Sequence, residues 1–268
     1  MMYFLSVVLI GTVYPIFLDV LSSQKISVGP PFYHKLIVPF LIPFLLVMAI
    51  GPKLKWIKSN LKDKVYLFSL FIISIFLSFM IVKNFNSNFL INTILISSAL
   101  FLFFITVRDF FTKGYNKISQ NIAHFGFSLL ILSILFNNFF SNEIITNLKV
   151  GETFENTKIK VLFKSLEQKE KKNYKSIIGN FTIKNSNGDL DNMTPELRIY
   201  NQPNITTSEA DIKTTIMSDK FIVINLVQNQ DYFNVRYQVK PFMLWIWASV
   251  ILISLGGLMS FFKKEYEK

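Results

Sequence analysis

Long apolar blocks separated by short polar breaks fill the first half of the chain, and one more such block closes it. A helix needs about 20 mostly apolar residues to cross roughly 30 Å of hydrocarbon at 1.5 Å per residue. Six segments meet that length: 2–20, 34–52, 65–82, 89–107, 118–140 and 241–262. The third (VYLFSLFIISIFLSFMIV) and the sixth (FMLWIWASVILISLGGLMSFF) carry the pattern most plainly. The second contains Pro39 and Pro43. Membrane helices tolerate proline where neighbours satisfy the freed carbonyls, so the spacing predicts a kinked helix. The first block lacks the basic n-region and small-x-small cleavage site of a signal peptide, which predicts a retained helix.

Residues 141–240 follow a different pattern. Short runs of β-branched and aromatic residues recur between polar breaks, at Lys158–Leu166, Ser176–Lys184, Glu196–Tyr200, Lys220–Gln228 and Tyr232–Lys240. Asn185-Ser186-Asn187-Gly188 is a turn signal, and Asn229-Gln230-Asp231 predicts a hairpin leading straight into the last span. About 100 residues of short strands suffice for a small sandwich or barrel. The predicted fold is a polytopic α-helical membrane protein of six transmembrane helices, with a β-rich extracytoplasmic domain between helices five and six. Its divisions are 1–140 (helices one to five), 141–240 (the β-rich domain) and 241–268 (helix six and a basic tail).

Charge adds orientation. The chain carries a net charge of +11 and a mean hydropathy of +0.40. Such a basic balance raises nucleic-acid binding as a class, but the positions of the cations speak against it. Lys53, Lys55, Lys58, Lys62 and Lys64 follow the second block; Arg108, Lys113 and Lys117 follow the fourth; Lys263, Lys264 and Lys268 follow the sixth. All fall on one side, whereas the opposite short loops hold Lys25, Lys35 and Lys83. The positive-inside rule then puts both termini in the cytoplasm or mitochondrial matrix and 141–240 outside, as a multi-pass protein of a bacterial or mitochondrial inner membrane. The cations meet the bilayer's anionic headgroups, and no nucleic acid is implied. Trp56, Trp245 and Trp247 stand at span ends, as interfacial aromatic belts do.

Candidate chemistry is sparse. The chain has no cysteine, which excludes disulfides, thiolate metal sites and thiol redox chemistry of its own. No phosphate loop, HExxH, nucleophile elbow or EF-hand occurs in 141–240. The chain holds two histidines. His124 lies within the fifth block, about 10 Å from its cytoplasmic end. Helical spacing aligns it with Gln120 and Ser128 at i−4 and i+4, with Asn121 at i−3. An ionisable group at that depth usually faces the bundle interior. Three roles fit: a helix–helix hydrogen bond, a proton relay, or axial ligation of haem iron, for which a neutral imidazole is suited. His34 follows Gly29-Pro30-Pro31 in a loop stiffened by proline at the outer mouth of the second span, and is expected to be exposed.

Four stretches resemble a known family. GTVYPIFLDVLSSQKISVGPPFYHKLIVPFLIPFLLVMAIGP (11–52), NIAHFGFSLLILSI (121–134), MTPELRIYNQPNITTSEADI (193–212) and WIWASVILISLGGLMSF (245–261) are similar to the C-terminal portion of the c-type cytochrome biogenesis CcmF/NrfE family, in the family's order. This is the haem-lyase membrane subunit of cytochrome c maturation. Members are usually more than twice as long, and their N-terminal half carries a tryptophan-rich segment and most of the haem-associated histidines. Neither is found in this sequence, so the resemblance implies a C-terminal subunit of a split protein, or a truncated copy, that acts with a partner carrying that half.

The resemblance implies a site and a reaction. A histidine in the family's C-terminal half is an axial ligand of a b-type haem, and His124 in Ala123-His124-Phe125-Gly126 matches it. His34 matches no ligand position. The implied reaction joins haem, delivered by a periplasmic haem chaperone, to the CxxCH thiols of apocytochrome c, alongside that protein's thiol-handling chaperone subunits. The b-haem would supply electrons; helical spacing alone, and not the resemblance, puts Gln120 and Ser128 where they would tune it. The segment Pro195–Tyr200 would dock partners, although Arg198 equally suits an internal ion pair. The alternative function is a non-catalytic scaffold or haem-translocation subunit of the same assembly.

Overall fold

The computed structural model describes residues 2–22, 27–53, 64–83, 88–112, 118–156, 159–185, 188, 190–227 and 231–263. Lys25, Lys55, Trp56, Lys58, Lys62, Lys113, Lys117, Ser186, Asn187, Asn229, Gln230, Lys264 and Lys268 lie outside the described residues. Among the described residues, six helices are long and apolar enough to cross a membrane: α1 (Met2–Leu21), α2 (Pro30–Ile50), α3 (Lys64–Val82), α4 (Phe89–Thr112), α5 (Ile118–Phe140) and α6 (Met243–Lys263). Two compact units result, one of residues 1–132 with 249–268 and one of residues 133–248.

In the first unit, two helix ends differ from the sequence expectation. The Gly29-Pro30-Pro31 run is not a stiff loop but the start of α2, with proline at the first helical positions. Those positions have no intrahelical partner for an N–H, so proline's missing donor costs nothing there. The helix continues through Pro39 and Pro43 to Ile50 and ends in a short 3₁₀ turn, Gly51–Lys53. Arg108 is not in a loop either: α4 runs on to Thr112. Its polar end is held from both flanks, by the Arg108 guanidinium over the Tyr66 ring at 4.1 Å and by an ion pair of 2.9 Å between Lys53 and Asp109.

Helix α4 is the central element, burying Leu95, Ile96, Leu100, Phe101, Leu102 and Ile105. Lipid tails are as apolar as leucine, so helices associate through close packing of small residues rather than through hydrophobicity. Ser74 and Ser78 of α3 and Ser97 and Ser98 of α4 are buried accordingly, each hydroxyl donating to a carbonyl of its own helix. Helix α1 meets α2 through Tyr3, whose hydroxyl donates to the Leu36 carbonyl at 2.9 Å.

The second unit is a β-sandwich with the C-terminal end of α5 and the N-terminal end of α6. One sheet has the order β1 (Asn142–Leu148), β10 (Phe233–Pro241), β9 (Ser218–Leu226), β8 (Asp211–Thr214). The other has the order β2 (Thr153–Glu155), β3 (Ile159–Glu170), β4 (Tyr174–Asn185), β6 (Glu196–Tyr200), β7 (Thr206–Glu209), with β5 (Leu190–Met193) beside the far end of β4. All pairings are antiparallel. Alternating side chains of both sheets close a core of Phe163, Phe181, Ile183, Leu197, Ile222 and Ile224, with the Phe163 and Phe181 rings stacked at 4.3 Å. The strands that flank the two expected turns are paired, β4 with β5 and β9 with β10. The short strands β1, β2, β5, β7 and β8 have no counterpart among the sequence-predicted runs.

The last span starts at Met243, two residues later than expected, because Pro241 completes β10. Phe242 makes the turn between strand and helix with a left-handed φ of 61°. That conformation costs a non-glycine residue about 1–2 kcal/mol. Its N–H donates to the Met217 carbonyl at 2.8 Å, and its ring meets Phe136 at 5.5 Å, which offsets the cost.

Candidate functional site

Helix α5 carries the candidate ligand, and its neighbours fix how its faces are used. Ser128 is fully buried and its hydroxyl pairs with that of Thr106 on α4 at 2.9 Å. Phe125 meets Phe103 and Phe110 of the same helix at 5.7 and 6.3 Å. Phe127 meets Phe44 of α2 at 6.2 Å. Gly126 faces α6, where a Cβ would lie 3.0 Å from the Ile253 backbone nitrogen.

The expected stripe of Gln120, His124 and Ser128 is therefore divided. Gln120 is exposed, His124 is half-buried, and Ser128 is buried against α4. A four-residue step advances a helix by about 400°, so residues at i, i+4 and i+8 drift by about 40° each time. The buried polar pair facing α4 is instead Asn121 and Ser128, seven residues apart. His124 stands three and four residues before Phe127 and Ser128, the spacing of neighbours on one helix surface. Its stripe thus lies between the contact to α2 and the contact to α4.

One turn before His124, a polar collar anchors the start of α5. The Asn121 side-chain amide donates to the Asp109 carbonyl at 3.1 Å, and the Asp109 carboxylate holds Lys53 with both side chains largely buried. Sequence reasoning missed this pair. A signal was present: Asp109 is one of three acidic residues in the first 140, set beside a basic cluster.

His34 sits exposed at the start of the second turn of α2. Three reversals separate α2 from α5, so the two helices run in opposite directions. Measured from the Phe44–Phe127 contact, His34 lies ten residues one way and His124 three residues the other, about 20 Å apart along the bundle. They do not converge on one metal. Among the described residues, no three of His, Cys, Asp and Glu cluster as a metal site. The half-buried His124 imidazole therefore has no second histidine beside it among the described residues.

In the sandwich, the segment proposed to dock partners is an interior strand. β6 is hydrogen-bonded by β4 on one side and β7 on the other, so it offers no free edge. Arg198 is committed internally, to Glu196 at 2.9 Å and Glu209 at 3.6 Å, with its guanidinium 5.2 Å from the Tyr174 ring centroid. Hydrogen bonding to Arg198 outweighs burial and holds the Glu196 carboxyl below its ordinary value.

A second polar cluster joins the two sheets. Asp191 on β5 is nearly buried and receives Lys213 from β8 and Lys220 from β9. Burial alone would push its carboxyl up, but the two ammonium donors together hold it below the usual carboxylate value. The neighbouring Tyr237 is buried, and its hydroxyl has no hydrogen-bond partner among the described residues. Burial first, and the Asp191 charge second, push its phenol up to about 12.

Residues 139–241 match the family model described as the CcmF C-terminal β-sandwich. Over 97% of its length the chain is 27% identical to the cytochrome c-type biogenesis protein CcmF of Pseudomonas fluorescens, covering 42% of that protein. It is 25% identical over 98% of its length to CcmF of Escherichia coli, again covering 42%. Against the biogenesis protein NrfE of Haemophilus influenzae it is 23% identical, over 97% of this chain and 42% of the other. A solved structure titled cytochrome c heme lyase CcmF shares the fold, with a TM-score of 0.69 and 17% identity over 95% of this chain and 43% of that one. The chain spans less than half the length of the curated relatives it matches.

Proposed function

On the premise that this multi-pass membrane protein is related over nearly its whole length to the C-terminal portion of the CcmF/NrfE proteins, we propose that it is one subunit of a cytochrome c haem-lyase machinery. Its role is to hold one side of a b-type haem through His124. The observation that carries this reading is the position of His124: the helix-borne histidine of the family-like Ala123-His124-Phe125-Gly126 stretch, half-buried between the stripes that meet α2 and α4.

When bound, such a haem supplies one-electron chemistry. The residues of this chain do the positioning. The Asn121–Asp109–Lys53 collar fixes the start of α5 one turn below the ligand. The close approach of α6 at Gly126 fixes its other flank. The second imidazole comes from an N-terminal half of the kind that carries the tryptophan-rich segment, whether joined to this sequence or separate from it. The reaction served is addition of each CxxCH thiol S–H of apocytochrome c across a vinyl C=C of substrate haem brought by a periplasmic chaperone. The S–C and C–H bonds formed balance the S–H and π bonds lost.

Orientation follows from charge. Lys53, Lys64 and Arg108 occupy the ends of α2, α3 and α4 that face one side, which supports cytoplasmic or matrix termini in an inner membrane and residues 141–240 on the outer side. That outer part is where apocytochrome c and its thiol-handling subunits dock.

The test is co-expression with a chain that supplies the N-terminal half. The purified complex is expected to show a b-type Soret band that His124→Ala abolishes while the complex still assembles. A wild-type complex without haem overturns the ligand assignment. Loss of the band with undiminished thioether yield assigns the chain to scaffolding instead.

A further inference from the structure

The β8–β9 hairpin ends in a four-residue turn, Thr215–Ser218, that exposes two large apolar side chains. Ile216 is 65% and Met217 62% exposed. Hairpin tips in water normally carry Gly, Asn, Asp or Ser for reasons of backbone conformation and solvation. Here the carbonyls of both apolar residues are hydrogen-bonded. The Ile216 carbonyl accepts from the Trp245 indole Nε1 at 3.0 Å, and the Met217 carbonyl accepts from the Phe242 N–H at 2.8 Å. Thr215 and Ser218 bond each other through the main chain at 2.9 Å, and the Ser218 N–H also donates to Thr215 Oγ1 at 3.1 Å.

Those partners also fix the height of the tip. Phe242 is the joint before α6, and Trp245 lies in its first turn. Helix α6 has 21 residues, about the length needed to span the hydrocarbon, so its first turn marks the membrane boundary. Leu244 and Trp247 are exposed at the same level, and tryptophan prefers that interface. Backbone groups entering a bilayer must be satisfied internally. The tip meets that demand at both apolar residues' carbonyls while presenting their side chains outward.

We propose that the Ile216–Met217 tip is a lipid anchor, inserted into the interfacial layer of the bilayer beside the first turn of α6. The β-sandwich is then held to the membrane at three points: the α5–β1 connection, the β10–α6 connection and this tip. The anchor does not depend on the haem assignment or on which face of the membrane the sandwich occupies.

The absence of cysteine makes the test direct. Single variants Ile216→Cys, Met217→Cys and, as a control, Leu226→Cys are made in the full chain, spin-labelled and reconstituted into phosphatidylcholine bilayers. Leu226 is exposed at the other end of β9, about 26 Å from Ser218. Labels at 216 and 217 are expected to collide preferentially with oxygen, and the label at 226 with an aqueous nickel chelate. Equal nickel accessibility at all three sites overturns the proposal. Protection at 216 and 217 from both reagents also overturns it, in favour of a covering protein. The unmodified chain gives an independent reading: photo-crosslinking with a lipid carrying a diazirine near its headgroup is expected to label Ile216–Met217 and not β9 beyond Ile222, and adducts confined to the helices refute it.

Discussion

A Cβ built on Gly256 of α6 would lie 2.7 Å from the backbone nitrogen of Ala123 on α5, and 2.8 Å from the Ala123 Cβ. The two helices therefore cross at backbone contact, one residue before His124. Gly126 extends the crossing toward Leu252 and Ile253. Small residues of this kind let membrane helices approach closely enough for dispersion to hold them. The proposed ligand is thus positioned by a helix that carries no histidine.

Any side chain at Gly256 must push α5 away. Gly256→Leu is expected to lower stability by about 1–3 kcal/mol, the usual cost of overpacking, and to diminish the Soret band of the co-expressed complex. Gly257 has open space where its Cβ would go. Gly257→Ala is expected to leave the Soret band unchanged and to raise the unfolding midpoint in detergent slightly, since alanine favours a helix interior over glycine by about 0.5–1 kcal/mol.

Asp191 is the electrostatic tie between the sheets. Asp191→Ala leaves Lys220, whose side chain is 14% exposed, without its counter-charge. Removing one partner of a largely buried pair is expected to cost on the order of 3 kcal/mol, read as a lowered thermal midpoint of the sandwich. The pH dependence has a definite sign. The folded carboxyl titrates below its ordinary value of 3.8, so its contribution is complete above that value and is lost as pH falls through the lower folded value. Acid unfolding should steepen below about pH 4 in the wild type, and Asp191→Asn should flatten it.

Tyr237 behaves in the opposite sense. Its phenol stays neutral in the fold to about pH 12, while the unfolded chain ionises near 10. Unfolding therefore releases a proton between those values, and stability should fall as pH rises above 10. Tyr237→Phe removes a buried hydroxyl that has no partner among the described residues. It is expected to raise stability by up to about 1 kcal/mol and to weaken the alkaline loss, measured by denaturant unfolding at pH 8 and pH 11.

Ser128 and Gln120 separate packing from ligand tuning. Ser128→Ala deletes one interhelical hydrogen bond, worth about 0.6 kcal/mol in a membrane bundle, and leaves Thr106 able to bond the Phe103 carbonyl. The exposed Gln120 does not share that buried face. Ser128→Ala is expected to keep the Soret maximum of the co-expressed complex in place with a slightly lower unfolding midpoint, and Gln120→Ala to leave the midpoint unchanged.

The solvent wrote the helices into the sequence. Hydrocarbon of fixed thickness demands about 20 apolar residues per crossing, so six spans could be counted from local composition. Alternation and turn residues likewise revealed five strands and two hairpins, because both signals are local. His124 was conspicuous as an ionisable residue deep in an apolar block, for the same reason. The fate of its stripe was not: the drift of about 40° per four residues sends Gln120 outward and Ser128 into α4, and only the neighbouring helices decide which partner each meets.

Tertiary structure settled whatever depends on distant segments. β1 pairs with β10 from Asn142 to Val239, and Asp191 finds Lys213 and Lys220 on the opposite sheet. Gly256 finds Ala123, and Trp245 reaches back to Ile216. None of these partners is marked by local pattern. A glycine reads the same whether it faces lipid or another backbone, and Ile216–Met217 lies outside every sequence-predicted run, so no local pattern marked it as the tip that Trp245 holds. Spans, strands and the lone deep imidazole followed from each residue's preference for its medium, whereas the contacts that hold and aim them followed from which surfaces the folded chain brings together.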